Sequence, residues 1–209
     1  MTTGKRIMKS YNTIKTPMGD LMLVANTSDL IGLYFVGCDH ISAELKQWKR
    51  DAQHPILRQA NVQLQEYFTG KRTEFSLPLH VTGTDFQERV WRQIALIPYG
   101  KTISYADLAH KAGKPKAVRA AGTNTGRNPL SIVIPCHRVI GKNGGITGYA
   151  GGLDKKRYLL ELEKSTVTNV KRFPHKVKAV ILELFAGVSR NYRVRAGLPK
   201  IAQTQIAGF

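Results

Sequence analysis

Short runs of strand-forming residues separated by polar turns dominate the first forty residues of the chain. The runs cover residues 10–16, 21–25 and 31–36 and are rich in aliphatic and β-branched side chains, which fit the surface of a sheet. Between them lie residues 17–20 and 26–29, which contain the usual turn-forming types. This alternation predicts a meander of three short antiparallel strands.

After Pro55 the apolar period lengthens from that of a strand to that of a helix. The residues on the repeating face are Leu57, Ala60, Leu64, Tyr67 and Phe68. Gly70 follows where a helix-ending glycine is expected. We therefore predict an N-terminal α+β domain over residues 1–80, in which one helix packs on the sheet. No residue in it suggests chemistry, and Cys38 is interpreted as structural, so the domain is expected to serve as a scaffold.

A polar stretch at residues 81–84 predicts a boundary, and residues 84–164 are predicted to form a second, mainly helical domain. Its first three predicted helices cover residues 86–97, 105–112 and 116–124. Ser104 and Asp107 are spaced as a capping box for the second helix, and Pro115 is expected in the first turn of the third. Two helices joined by a short glycine-containing turn are typical of a helix-turn-helix.

The third of these helices has a nearly bare face beside one long cation. Ala117, Ala120 and Ala121 leave room for a close backbone approach, and Arg119 projects next to them. The neighbouring cations that can meet phosphates are Lys114, Lys116 and Arg127. The alternative is an alanine-rich helix chosen for its propensity, with solvated lysines. The whole chain favours a nucleic acid partner, because 32 Lys and Arg against 14 Asp and Glu give a formal net charge of +18.

Candidate chemistry begins where residues 131–135 predict a buried strand that Pro135 ends. Cys136 follows directly, with His137 and Arg138 behind it. A thiolate is a strong nucleophile, and a neighbouring positive charge or base increases the thiolate fraction. Taken alone, the Cys-His pair fits a buried structural cysteine beside a chance histidine better. Its surroundings favour the reactive interpretation.

A glycine-rich stretch at residues 144–152 leads into a helix predicted over residues 153–164. The bare backbone of that stretch can approach a planar ligand closely, and the lack of a following Gly-Lys-Ser/Thr argues against a P-loop. Glu163 shares the inward face of the helix with Leu159, so its carboxylate needs a buried partner. His137 is the candidate, because a carboxylate on one ring nitrogen orients the other nitrogen as a base.

Composition excludes several classes of protein. No apolar run approaches the length of a membrane span, and the N-terminus lacks an apolar signal region, so a cytoplasmic protein with no membrane partner is expected. Cys38 and Cys136 cannot form a disulfide framework, and the six histidines show no metal-ligand spacing. We therefore expect chemistry with no metal and no cofactor.

The residues around Cys136 resemble one family. Pro135-Cys-His-Arg-Val139, preceded by Asn128-Pro129 and followed by Gly148-Tyr-Ala-Gly-Gly-Leu153, is similar to the active-site signature of O6-alkylguanine-DNA alkyltransferases. The similarity runs from about Phe86 to Glu163. It implies an α+β protein in which a small ribonuclease-H-like N-terminal domain precedes a mainly helical, winged-helix-like, DNA-binding catalytic domain.

The resemblance implies direct repair of DNA by single-turnover transfer of a methyl or larger alkyl group from O6-alkylguanine, with O4-alkylthymine as a further candidate. Matching motif positions would make Cys136 the alkyl acceptor and His137 its base through a bridging water, with Glu163 orienting His137. Tyr105 matches a tyrosine that crowds the target phosphate and lines the base pocket, and from there it can donate a proton to guanine. The implied partner is double-stranded DNA, bound by a monomer through the minor groove after base flipping.

The resemblance also assigns binding residues. Arg119 matches the arginine that takes the place of the flipped nucleotide, and Asn128 matches the asparagine that braces the helix-turn-helix. The other expected DNA contacts are Tyr105, Lys114, Lys116 and Ala120. The implied walls of the base pocket are Val139, Tyr149, Ala150, Gly151 and Gly152, with alanine at 150 where some members have serine.

Two other functions fit parts of the sequence. A Cys-His hydrolase would turn over repeatedly and would not need the helix pair, and a DNA-binding regulator would make no use of Cys136. Residues 165–209 extend beyond the resemblance and carry a basic pattern with an amphipathic helix. We expect this extension to add phosphate contacts and no catalytic group, with a disordered extension of no function as the alternative.

Overall fold

The computed structural model describes residues 8–37 and 47–169 of the 209. Its N-terminal sheet has the order β3-β2-β1-β4 and consists of β1 (Ser10–Thr16), β2 (Gly19–Ala25), β3 (Leu30–Phe35) and β4 (Lys49–Arg50). The first three strands pair antiparallel, as predicted, and β4 adds a parallel edge to β1. A run of two residues is too short to show a period, which is why no pattern predicts β4.

Helix α1 (Pro55–Phe68) buries the predicted face. Pro55 occupies the first turn, where its fixed φ suits a helix start, and Gly70 adopts a φ of +71° just past the end. The sheet residues that share one core with this helix include Leu21, Leu23, Leu33 and Phe35. The N-terminal α+β prediction is confirmed.

The second half contains the predicted helices in the predicted order: α2 (Asp85–Ala95), α3 (Tyr105–Lys111), α4 (Val118–Gly126) and α5 (Leu153–Asn169). Two short strands, β5 (Ile103–Ser104) and β6 (Val139–Ile140), pair in parallel beside them. Ser104 and Asp107 form the predicted capping box of α3. Pro115 does not lie in the first turn of α4, because the backbone turns there and Ala117 becomes the N-cap.

Helix α5 continues past its predicted end at Lys164 to Asn169. The helix still packs on the body of the protein beyond residue 164: Thr166 is buried over Gly70, where an added Cβ would lie 3.2 Å from the threonine hydroxyl. Packing therefore extends a helix that has no stop signal at residue 164. Residues 170–209, which carry the predicted tail helix, lie outside the described residues, as does Cys38.

The predicted strand at residues 131–135 is wrong. Residues 128–135, hereafter the Asn128 turn, fold back so that Ser131 bridges Ile134, and Ile132 adopts a left-handed backbone with φ +72°. The Asn128 side chain replaces strand partners: its Nδ2 donates to the Ile134 carbonyl at 2.7 Å, and its Oδ1 accepts from the Leu130 N–H at 3.0 Å. Burial of these apolar side chains explains why the run resembles a strand in sequence.

Strand β3 joins the two halves of the chain. The Leu33 N–H donates to the Pro129 carbonyl at 2.8 Å, and the Leu33 carbonyl accepts from the Ser131 N–H at 3.2 Å. Leu30 pairs in the same way with the connection at 78–80. One apolar core runs through both halves, so the Asn128 turn is anchored on the N-terminal sheet. Within residues 8–37 and 47–169, no helix is both long and apolar enough to cross a membrane.

Candidate active site

Cys136 begins a 3-10 helix (Cys136–Arg138) directly after the Asn128 turn. The residue is 4% exposed, and burial raises the pKa of its thiol. The Asn128 amide and the Lys156 ammonium oppose this shift only in part. The free protein therefore holds a protonated thiol, and a base is needed to make the nucleophile.

His137 is fully buried, and its Nε2 lies 2.8 Å from Glu163 Oε1, so the predicted contact is present. Burial lowers the pKa of His137 and Glu163 opposes that shift, which leaves the ring neutral at pH 7. An ionised carboxylate can only accept, so Nε2 carries the proton and Nδ1 keeps a lone pair. Nδ1 is buried and has no hydrogen-bond partner among the described residues. A neutral base thus stands next to the thiol in the chain.

Glu163 is held by more donors than the sequence predicts. Arg138 donates from Nη2 to Oε1 at 2.8 Å and from Nε to Oε2 at 3.0 Å. The Gly100 N–H donates to Oε2 at 3.0 Å, and the Tyr67 hydroxyl donates to Oε1 at 2.8 Å. Burial alone would raise the pKa of Glu163, but the hydrogen bonds from His137 and Arg138, together with the Arg138 charge, lower it to about 2. Glu163 is therefore a buried anion whose charge Arg138 balances.

These additional partners differ in how visible they are in the sequence. Arg138 was expected to place its charge near the thiol, whereas its guanidinium pairs with Glu163. Tyr67 and Gly100 lie 96 and 63 residues from Glu163 along the chain, so no local spacing indicates either. Gly100 adopts a φ of +68° in the turn after α2, a backbone that favours glycine, and from this turn its N–H reaches the carboxylate.

Lys156 is fully buried on α5 and was not predicted as a site residue. Its Nζ donates to the carbonyls of Val139 and Thr147, both at 2.6 Å, and lies 3.3 Å from the Tyr105 hydroxyl. Burial lowers its pKa to about 8, with Cys136 opposing. Lys156 therefore fastens β6 to the glycine-rich loop.

A sequence signal for Lys156 does exist. The inward stripe that contains Leu159 and Glu163 also passes through Lys156, three residues before the first and seven before the second. A lysine on a buried stripe needs acceptors, just as a carboxylate there needs donors.

Tyr105 begins α3 below the Lys156 ammonium, which lies 5.5 Å from the ring centroid. Its hydroxyl donates to the Thr147 carbonyl at 2.9 Å. Burial raises the pKa of Tyr105, and the hydrogen bond to Thr147 opposes this in part. The tyrosine is thus a protonated hydrogen-bond donor at the glycine-rich loop.

The helix pair α3–α4 presents the predicted cations to solvent. Arg119 and Ala120 are exposed on α4, whereas Ala121 is buried, so the bare face is narrower than predicted. Lys116 is exposed, and Lys114 is exposed with its ammonium 5.0 Å from the centroid of a phenylalanine ring on α2. Asn128 is buried behind these helices in its turn and does not reach the surface.

The implied pocket wall depends on the N-terminal half. Tyr149 packs edge-on against Phe35 of β3, with ring centroids 5.9 Å apart. Phe35 also lies so close to Gly151 that an added Cβ there would be 2.5 Å from its ring. The remaining implied wall residues are the buried Val139 and the exposed Ala150 and Gly152. Phe35 was not predicted to take part.

The described residues do not bring three or more His, Cys, Asp or Glu side chains together in a way that could hold a metal ion. What they do bring together is a buried thiol, a neutral imidazole and a fixed carboxylate. This set is suited to nucleophilic displacement by a thiol whose proton passes to the imidazole. The exposed basic helix pair beside it is suited to a polyanion.

Two family models match the chain. The DNA binding domain of 6-O-methylguanine DNA methyltransferase matches residues 85–165, and the ribonuclease-like domain of the same family matches residues 9–81. A constitutive methylated-DNA–protein-cysteine methyltransferase of Bacillus subtilis is 45% identical over 161 residues, which cover 75% of this chain and 96% of that protein. A methylated-DNA–protein-cysteine methyltransferase of Methanosarcina barkeri is 43% identical over 157 residues, covering 75% and 98%.

Solved structures agree with these sequence matches. The O6-methylguanine methyltransferase of Mycobacterium tuberculosis superposes with a TM-score of 0.71 at 45% identity, covering 76% of this chain and 94% of that one. A structure of the M. tuberculosis protein OGT in complex with DNA gives a TM-score of 0.69 at 44% identity, covering 75% and 94%. The ribonuclease-like and DNA-binding parts of the fold therefore follow in the predicted order.

Proposed function

Since this chain belongs to the 6-O-methylguanine DNA methyltransferase family, we propose that it repairs DNA directly by moving an alkyl group from O6 of guanine to Cys136. It is a methylated-DNA–protein-cysteine methyltransferase, and it binds DNA. The observation that carries the assignment of Cys136 is its place in the site: a buried thiol next to an imidazole whose far nitrogen is held by Glu163.

The thiol first needs to lose its proton. Nδ1 of His137 takes it through a bridging water, a route supported by the buried Nδ1 lone pair, which has no partner among residues 8–37 and 47–169. The Cys136 thiolate then attacks the alkyl carbon, so that the carbon–sulfur bond forms as the carbon–O6 bond breaks. Guanine leaves with the electron pair and takes a proton from Tyr105, which His137 replaces through solvent. The products are guanine and a thioether, which has no easy reverse path, so each molecule acts once.

The lesion lies inside the duplex, so the nucleotide has to rotate out before it can meet Cys136. We assign this step to α4, entering the minor groove with Arg119 filling the gap and Ala120 allowing the close approach. Lys114, Lys116 and Tyr105 bind or crowd phosphates at its edge. The exposed positions of Arg119, Ala120 and the two lysines support this assignment. Asn128 acts indirectly, by holding its turn between α4 and Cys136.

The flipped base lies against the glycine-rich loop. The walls of this pocket are Tyr149, Ala150, Gly151 and Gly152, and its floor is Val139. The clamp that Lys156 makes between Val139 and Thr147 supports a loop held in one shape. We propose that the protein acts as a monomer in the cytoplasm and that O4-alkylthymine enters the same pocket.

Replacement of the acceptor tests this function. Cys136→Ser should take up no label from a duplex that carries radiolabelled O6-methylguanine, because a serine hydroxyl is far less ionised than a thiol. It should still bind the duplex, since α4 is untouched. Cys38→Ser is the matched control and should take up label like the unaltered protein. Label on the Cys136→Ser protein would show that another residue is the acceptor.

A further inference from the structure

Tyr67 connects the N-terminal half of the chain to the proposed base. It lies near the end of α1, is fully buried, and its hydroxyl donates to Glu163 Oε1 at 2.8 Å. His137 Nε2 lies 2.8 Å from the same oxygen. Two donors from opposite halves of the chain therefore share one carboxylate oxygen.

The Glu163 carboxylate has little acceptor capacity to spare. Its two oxygens offer about four lone-pair sites, and Arg138 and Gly100 already donate to them beside Tyr67 and His137. We infer that Tyr67 is a positioning residue for alkyl transfer: its hydroxyl fixes the Glu163 carboxylate and limits how strongly Oε1 holds the His137 proton. This inference rests on the proposed roles of His137 as base and Glu163 as its partner.

The hydroxyl, rather than the ring, is the part that packing does not explain. The ring lies 5.4–5.9 Å, between centroids, from those of Phe68, Phe75 and Tyr99, and a phenylalanine would keep these contacts. A buried hydroxyl costs free energy unless it is bonded, so its presence in an aromatic cluster requires a partner. Burial, and then Glu163, raise the pKa of Tyr67 well above its usual value, so the group donates at every working pH.

Loss of the hydroxyl should change His137 in a definite direction. Without Tyr67, Glu163 is a less stabilised anion and so a stronger acceptor for the Nε2–H of His137. A stronger acceptor favours the charged imidazolium, and the pKa of His137 rises. In the part of the chain that the structure describes, the other titratable or charged groups facing this pair are Arg138, Tyr99 and Lys156, all of which stay in place in Tyr67→Phe.

The test compares Tyr67→Phe with the control Tyr99→Phe. Tyr99 belongs to the same aromatic cluster, but within the described residues its hydroxyl makes no hydrogen bond to Glu163. Benzyl transfer from free O6-benzylguanine is measured against pH, and the His137 ring is titrated by ¹⁵N NMR in unreacted protein. In Tyr67→Phe, the acid limb of the rate and the NMR titration should both move to higher pH. The plateau rate should fall roughly tenfold, a fraction of the roughly 10²–10⁴-fold that a general base contributes. Tyr99→Phe should leave the limb in place.

A second variant should shift the pKa of His137 in the opposite direction. Replacing Tyr67 with 3-fluorotyrosine makes the hydroxyl a stronger donor, so the His137 titration should move to lower pH. An unmoved titration in both Tyr67 variants, or equal movement in Tyr67→Phe and Tyr99→Phe, would overturn the inference and leave Tyr67 as a core residue. If the proposed function itself were wrong, the result would differ: the unaltered protein would take no benzyl group on Cys136, or its pH–rate profile would show no acid limb.

Discussion

Glu163 gathers groups from three separate stretches of the chain around one buried charge. His137 and Arg138 follow the acceptor, Gly100 ends the turn after α2, and Tyr67 comes from α1. A buried carboxylate is tolerated only when donors and a counter-charge surround it. The residue that orients the proposed base is therefore also a fastening point of the fold.

This arrangement predicts a loss of stability in acid. Glu163 has a pKa of about 2 in the folded protein against 4.5 ordinarily, so its contribution is present above pH 4.5 and lost as the pH falls through about 2. The shift corresponds to about 3 kcal/mol at 1.36 kcal/mol per pKa unit. His137 adds to the loss from about pH 6.5 downward, because burial lowers its pKa and the unfolded chain binds that proton first.

Urea unfolding at a series of pH values measures this effect. Glu163→Gln should be less stable than the unaltered protein at pH 7 and should lose less stability between pH 4.5 and 2. Glu161→Gln, exposed on the same helix, is the matched control and should follow the unaltered curve. Parallel curves for Glu163→Gln and the unaltered protein would contradict a depressed pKa of Glu163.

Among the elements, regular ones are predicted well and the turn that carries the acceptor is not. Strands β1–β3 and helices α1–α5 have periodic apolar faces, and their existence and order follow from the pattern. The Asn128 turn is a buried apolar run whose partners are one asparagine side chain and the edge of β3. The apolar composition of this turn indicates that it is buried but not which backbone conformation it adopts, so its sequence resembles that of a strand.

In the site, too, some residues can be predicted from a local sequence pattern and others cannot. His137 and Glu163 are visible because one follows the acceptor and the other lies on an inward helical stripe. Tyr67 and Phe35 belong to core faces of the N-terminal half and differ in no local way from packing residues. Only the fold, which closes the two halves over one core, shows that they reach the site.

Arg119 on α4 is proposed to act in base flipping and not in the displacement at Cys136. Arg119→Ala should slow repair of O6-methylguanine in duplex DNA by about tenfold to a hundredfold, the scale of a few kcal/mol of unstacking, because the gap is left unfilled. Its rate with free O6-benzylguanine should stay unchanged, since Arg119 is exposed on α4 and is proposed to act on base extrusion, not on the displacement. Thr123→Ala, exposed on the same helix, is the control. Equal losses on both substrates would mean that Arg119 serves the fold or the chemistry.

The two halves share one apolar core, and the sequence that follows α5 is strongly basic. The extension from residue 170 carries eight Lys and Arg against one Glu, and deleting residues 170–209 leaves the packed end of α5 intact. Each phosphate that the tail neutralises contributes roughly −0.9 to the slope of log K against log salt. The truncation should therefore bind duplex DNA more weakly and with a flatter slope, while its rate with free O6-benzylguanine stays the same.

A full-length variant with the eight tail cations changed to Gln separates charge from length. It should match the truncation in salt slope if phosphate contacts are the cause. A slope equal to that of the unaltered protein, in either variant, would show that the tail does not bind phosphates. A lost free-base rate in the truncation would instead make the tail part of the fold.

Cys136 is proposed to accept one alkyl group and to keep it. The most direct measurement is the mass of the intact protein, and of its peptides, after incubation with excess duplex containing O6-methylguanine. We expect a gain of one methylene unit per molecule, located on the Cys136 peptide, with repair stopping at one lesion per protein. Continued loss of the lesion without a mass gain, or a gain on any other peptide, would contradict this proposal.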